Sequence, residues 1–305
     1  MISLEPRLNC PLCGSESRST YINFNDIPVV KCDNCNFIYS SCIMSSEAIN
    51  IYYTKGFGSK RHFEGQIVNA AMNENIISRL VKFNKSMSVL DVGTGYGFFL
   101  DTLKKKWAIN GVGVELSTQE AEYAKNTLGL NIYNQPLVQS DITPKEFDLV
   151  CSFEVIEHIA NPIAFIKELK TFLAPNGKLI IGTDNFESKV VKDLGAGWPK
   201  WIPHSHISHF GPDSFRLAFK AAGLKVESVA SISPWEQLSR SLAYKIINRK
   251  ISEKDGFNLE KELNTEMNGE YKMFNLRKRV NPLWAKWFLR RDLEGAMMYI
   301  VASRI

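Results

Sequence analysis

An α/β fold, a doubly wound and mostly parallel sheet preceded by a small cysteine-hooked unit, is predicted by three observations. The first is the run Val89-Leu90-Asp91-Val92-Gly93-Thr94-Gly95-Tyr96-Gly97-Phe98-Phe99-Leu100, an apolar strand that breaks into a glycine turn and continues as a helix. The second is Phe147 to Ser152, an apolar run without alternation, which needs helices over both its faces as a parallel strand does. The third is the pair of hooks Cys10-Pro11-Leu12-Cys13 and Cys32-Asp33-Asn34-Cys35, spaced widely enough to hold a strand pair between them.

The chain has 305 residues, 45% of them hydrophobic, which suits one large core with a small satellite and excludes enforced disorder. No basic, apolar and small-residue leader opens it, and no apolar stretch is long enough to span a bilayer, so a cytoplasmic protein is expected. A net charge of +5 is too small for this size to imply a nucleic-acid partner.

In chain order the hooks come first. Four thiols at this spacing, in a reducing compartment, ligate a metal more readily than they pair, so residues 1–45 are expected to form a zinc ribbon with Cys10, Cys13, Cys32 and Cys35 as ligands. Four protein ligands leave no coordination position open, which makes this zinc structural. Cys151 falls in a core strand, and Cys42 is a free thiol. Residues 46–85 follow as a helical linker. Ile51 to Phe63 is aromatic, glycine-bearing and basic; it reads either as a cover that closes over a ligand, with Tyr52 or Tyr53 near the reacting group, or as a plain linker with buried aromatics. Asn69 to Phe83 has a helical pattern.

Residues 86–305 carry the chemistry. Glycines at 93, 95 and 97 let the backbone take conformations a Cβ would forbid and let a flat polar ligand lie against it. The dinucleotide fingerprint places its third glycine one residue later, so the spacing favours S-adenosylmethionine over a pyrophosphate cofactor. Gly111 to Glu115 reads as a second strand that ends in a carboxylate suited to ribose hydroxyls. A helix from Ser117 to Leu128 and a strand near Asn131 to Asn134 come next, and the strand from Phe147 exits into Glu154-Val155-Ile156-Glu157-His158.

Residues 86–184 resemble the Rossmann-like class I S-adenosylmethionine-dependent methyltransferases, through the glycine run at 89–97, the acid at 115, Phe147-Asp148-Leu149-Val150, Glu154 to His158, and Leu173 to Ile181. The resemblance implies a seven-stranded sheet whose last strand runs antiparallel, and Gly295 to Ile305 suits that strand. It also implies a cofactor bed of Asp91, Gly93, Thr94, Gly95, Tyr96, Gly97, Glu115, Leu116, Phe153 and Glu154. Family members often place an acid after the third strand to meet the adenine amine; this chain has Asn134-Gln135-Pro136-Leu137 there, so Pro136 and Leu137 are expected on the adenine face.

His158 stands one turn beyond the fourth strand and is expected to act as general base, with Glu154 and Glu157 beside it to orient the ring. The competing reading has Glu154 to His158 simply starting a helix. Gly197 to Pro212 holds Trp198, Trp201, His204, His206 and His209; the first four are expected to line an acceptor pocket, and His209 to join the catalytic group or to bridge loop and sheet. Glu154, Glu157, His158 and one of His206 or His209 also resemble the divalent-metal site of ubiquinone-pathway and small-RNA 2′-O-methyltransferases. Such an ion would polarise a pair of acceptor oxygens.

About 239–291 reads as a helical insertion before the last strand. Tyr271 to Arg291 has seven basic residues, no acid and interleaved aromatics, a pattern suited to an anionic membrane, to a phosphate-bearing acceptor, or to a solvated face over a core stripe. The ribbon-plus-methyltransferase layout resembles enzymes that methylate nucleotide-linked sugars and precursors of surface glycans or secondary metabolites. A ribosomal- or transfer-RNA methyltransferase that grips RNA with its ribbon is the alternative, although the fourth-strand exit lacks the Asn/Asp-Pro-Pro-aromatic signature of base-amine methylation.

Overall fold

A computed structural model describes residues 4–24, 27–45, 48, 59–144, 146–247, 253, 257–258, 261 and 269–305. The N-terminal unit contains β1 (Leu4–Pro6), β2 (Arg18–Ile22), β3 (Val29–Cys32), β4 (Ile38–Ser40) and β5 (Cys42–Met44). There follow α1 (Lys60–Ile77), β6 (Val89–Val92), α2 (Phe98–Trp107), β7 (Val112–Val114), α3 (Thr118–Asn126), β8 (Asn131–Tyr133) and β9 (Phe147–Phe153). The remainder is α4 (Pro162–Thr171), β10 (Leu173–Asp184), α5 (Lys189–Leu194), β11 (Ser208–His209), α6 (Pro212–Ala221), β12 (Leu224–Ile232), α7 (Trp235–Ile246), α8 (Phe274–Phe288) and β13 (Met297–Arg304).

Seven strands form the main sheet in the order β12-β13-β10-β9-β6-β7-β8. The five from β8 to β10 are parallel, with Leu90 opposite Val150, whereas β13 runs antiparallel to both its neighbours, with Ile181 opposite Ile300. The expected doubly wound sheet with a reversed last strand is therefore present. Period-two alternation explains its cover. Met298, Ile300 and Ala302 of β13 join the core beneath α4 and α6, while Met297, Tyr299 and Val301 join the core beneath α1 and α2.

Two sequence expectations shift. The helix expected from Asn69 begins at Lys60, because the Ser59 hydroxyl accepts from the His62 amide at 3.3 Å and the Phe63 ring finds Tyr96 at 4.8 Å and Phe98 at 5.1 Å. Residues 51–58 of the expected cover, Tyr52 and Tyr53 included, lie outside the described residues. In addition, the N-terminal unit shares a sheet with the rest of the chain. Its strands pair in the order β11-β4-β3-β2, and β11 comes from the segment that follows β10. Cys10, Phe37 and Tyr39 accordingly pack into one core with Phe210, Phe215 and Ile181.

Candidate active site

β6 is buried along its whole length and delivers the chain into Gly93, Gly95 and Gly97, with φ of +78°, +57° and +78°. These left-handed conformations are strained for residues with a Cβ, and the Gly95 amide is directed at Glu115. Glu115, at the exit of β7, accepts from the Gly95 amide and the Ser117 amide, both at 2.8 Å. Burial, and then the charge of Glu120, push its carboxyl up to about 7. A nucleoside sugar laid on this turn would meet that same carboxylate. α1 covers the turn from above: the Gln66 side-chain oxygen accepts from the Tyr96 amide at 2.8 Å, and its amide group occupies the space a Cβ at Gly95 would take. Asp91 lies beneath, buried; its carboxylate accepts from the Thr94 hydroxyl at 2.8 Å.

Carboxyl ends of parallel strands line a crevice in such sheets, and here β9 and β10 each end in an acid. Glu154 has a φ of +54°, a left-handed turn at a residue other than glycine, which swings its carboxylate away from the helical path. Asn69 of α1 donates to one of its oxygens, and the Lys200 ammonium lies 2.9 Å from the other. Lys200 also stands 3.5 Å from Asp184, at the end of β10. Burial opposes ionisation of Glu154, but the lysine outweighs it and holds the carboxyl below its usual range.

The turn after Glu154 is a short 3-10 turn, Ile156–His158. Glu157 is fully buried; one oxygen accepts from the Thr183 hydroxyl at 2.9 Å, and the other has no hydrogen-bond partner among the described residues. Burial, then the charges of Asp184 and Glu154, push it up to about 8. His158 Nδ1 lies 3.0 Å from the Ser205 carbonyl, so Nδ1 donates. The His206 ring sits 4.7 Å from it, edge to face, and is held neutral by burial and by the surrounding basic groups. Glu157, His158 and His206 each bring one ligand atom within 4.8 Å of the others.

The cysteines form a second cluster. Cys10 and Cys35 Sγ are 3.5 Å apart, as are Cys13 and Cys32, and all four thiols lie within 4.8 Å of one another. Tetrahedral zinc at ~2.3 Å from each sulfur requires separations of about 3.8 Å, so this set fits such an ion.

The model of the family described as a methyltransferase domain matches residues 66–229, more than half of the chain. The chain belongs to this methyltransferase family. A ubiquinone biosynthesis O-methyltransferase of Maricaulis maris is 28% identical over 162 residues, 49% of this chain and 63% of the relative. The mitochondrial ubiquinone biosynthesis O-methyltransferase of Dictyostelium discoideum is 33% identical over 129 residues, 37% of this chain and 40% of the relative. The chain thus spans less than two thirds of either. A Thermotoga maritima S-adenosylmethionine-dependent methyltransferase, described as a possible histamine N-methyltransferase, matches with a TM-score of 0.54 at 17% identity, covering 84% of this chain and 99% of that one. That likeness is one of fold.

In this methyltransferase-family chain the structure brings His206 together with Glu157 and His158, in the segment that follows β9 after Glu154, and leaves other expected site residues elsewhere. Trp198 and Trp201 are only 1% and 3% exposed and pack with Phe24 and Phe186, so they present no face to an acceptor. His209 is wedged between Phe186 at 4.5 Å and Trp201 at 5.0 Å, with Nε2 3.5 Å from the Ser40 hydroxyl, which makes it a bridge between loop and ribbon. His204 is buried and stacks near Phe257. Leu116 and Pro136 are exposed and Leu137 is buried beside β8, while Asn134 donates to the Glu115 and Leu116 carbonyls. Phe153 packs on Phe99 at 5.1 Å. Sequence reasoning missed Gln66, Asn69, Thr183, Asp184, Lys200 and Ser205. Only Asp184 carried a signal, as an acid at the end of a strand.

Proposed function

We propose that this protein transfers a methyl group from S-adenosylmethionine to an oxygen of a small hydroxylated acceptor, with His158 taking the hydroxyl proton. The observation that supports the reading is the His158 contact to Ser205, which fixes Nδ1 as the donor and leaves Nε2 as the ring nitrogen that would take the proton. The acceptor oxygen attacks the methyl carbon in line with sulfur, the carbon–sulfur bond breaks, S-adenosylhomocysteine leaves, and the proton passes to Nε2. Membership of the methyltransferase family and the glycine turn beside Glu115 support the cofactor. The names of the ubiquinone O-methyltransferase relatives support oxygen as the acceptor atom.

A nucleotide-linked sugar and a phenolic ring both meet this description, and the interior placement of Trp198 and Trp201 removes the feature that favoured a sugar. A second reading is favoured by the convergence of Glu157, His158 and His206. A carboxylate with an orphaned oxygen and two imidazoles suit a divalent ion of the transition series, which when bound would supply Lewis-acid polarisation of the acceptor oxygens. Calorimetric titration with S-adenosylmethionine, followed by turnover of labelled cofactor with catechols, nucleotide sugars and RNA, tests the first reading. Failure to bind the cofactor, or methylation of RNA alone, overturns it. Turnover unchanged after chelation that leaves one zinc per chain removes the ion.

A further inference from the structure

Helix α8 turns an apolar stripe toward solvent. Leu276, Leu283 and Trp287 are 43%, 59% and 75% exposed, and their spacing of two turns and then one puts them on a single face. The opposite face is the one committed to the protein. Asn281 and Ala285 are buried there, and Asn281 accepts from the Trp235 indole at 2.8 Å as α8 packs along α1. Folding therefore accounts for one side of this helix, Trp284 included, and leaves Leu276, Leu283 and Trp287 outside.

Charge surrounds the stripe. Between Tyr271 and Arg291 there are seven Lys or Arg and no Asp or Glu. Lys278, Arg279 and Lys286 are exposed, and Arg279 and Lys286 flank the line of Leu283 and Trp287, with the Lys286 ammonium 5.9 Å from the Trp287 ring centre. Among the described residues no helix is long and apolar enough to cross a membrane, so this face could rest on a bilayer without spanning it. An outward Trp and Leu stripe with a cationic border matches the interfacial layer of an anionic leaflet, where acyl chains take the apolar groups and headgroup phosphates the cations.

From this complementarity we propose that the outward face of α8 docks the protein on an anionic lipid surface. The full chain should co-sediment with vesicles of phosphatidylglycerol and phosphatidylcholine in equal parts, with a blue shift of tryptophan fluorescence, and should ignore vesicles of phosphatidylcholine alone. Raised salt should release it. Trp287→Ser should weaken partitioning by about tenfold, and the triple variant Lys278→Gln, Arg279→Gln, Lys286→Gln by on the order of a hundredfold. Both variants should keep the parent's melting temperature and cofactor affinity, because none of these side chains is buried. Absence of binding by the parent, equal binding to both vesicle types, or variants that bind like the parent would overturn the proposal. So would a dimer in sedimentation velocity that Trp287→Ser dissociates while the parent leaves anionic vesicles untouched, since a second copy would then cover the stripe.

Discussion

The Nδ1 atom of His158 lies 3.0 Å from the carbonyl oxygen of Ser205, a residue 47 positions further along the chain. A carbonyl only accepts, so this one contact makes Nδ1 the donor and fixes the orientation of the ring. His158→Ala is expected to lower kcat by about 10²- to 10⁴-fold while cofactor affinity stays close to that of the parent. Rapid-quench turnover beside calorimetry separates the two, and equal turnover would assign the base elsewhere.

Glu115 stands at the exit of β7, beside the glycine turn. Its carboxylate holds the Gly95 amide, and charged hydrogen bonds of this kind are worth about 1.5–3 kcal/mol each. Glu115→Ala should therefore weaken S-adenosylmethionine binding by roughly ten- to a hundredfold, read by calorimetry, with a much smaller effect on turnover at saturating cofactor.

Lys200 compensates two acids, Glu154 at 2.9 Å and Asp184 at 3.5 Å, and Asp184 is only 1% exposed. Removing one member of a buried ionic group leaves the others uncompensated, at a cost reduced here because a third of the lysine side chain meets solvent. Lys200→Met should destabilise the fold by roughly 2–3 kcal/mol in urea unfolding. Adding Asp184→Asn should recover part of the loss. An unchanged midpoint for the single variant would show the cluster to be neutralised in another way.

Stability should also depend on pH. Asp91 is pushed up to about 7 by burial, despite the Thr94 hydroxyl that favours its charge, and Glu115 up to about 7 by burial and Glu120. Unfolded carboxyls titrate near pH ~4, so below that pH both states keep these protons and the full contribution is present. Between about pH 4 and 7 the unfolded chain releases protons that the folded chain retains, and stability falls as pH rises. The melting temperature of the ligand-free protein is expected to be lower at pH 8 than at pH ~5.5. Asp91→Asn should narrow that gap.

The ribbon is tied to the turn that carries Glu157 and His158. The Ser40 amide donates to the Ile207 carbonyl at 3.1 Å, Arg7 donates to the same carbonyl at 2.8 Å and also to that of Ala160, and the Ile207 amide donates to the Glu157 carbonyl at 2.8 Å. Metal analysis should find one zinc per chain. Cys32→Ser should lose it, lower the melting temperature, and increase amide exchange at 204–209 as β11 loses its partner strand. Unaltered exchange at 204–209 would mean that the loop stands without the ribbon.

Much of the fold was legible because its signals are local. The strand, glycine turn and helix at 89–100, the acid at 115 and the cysteine hooks owe their meaning to spacing along a short stretch, where backbone geometry and metal coordination permit few alternatives. The same local reading placed His158 one turn beyond a strand, took Trp198 and Trp201 for a pocket lining, and gave His209 a catalytic or bridging part. Their loop folds inward, because β4 offers an open edge that β11 completes, and the rings are buried as the strands pair.

What local order settled is the kind of protein: a parallel sheet, a nucleoside corner and a four-thiol hook. What long-range packing settled is which side chains meet. Lys200 came to Glu154, Ser205 to His158, Gln66 to the glycine turn, and the ribbon to the loop at 204–209. Each of these contacts joins distant parts of the chain, and hydrogen bonds or ion pairs of that kind leave no periodicity or spacing in the sequence from which to read them.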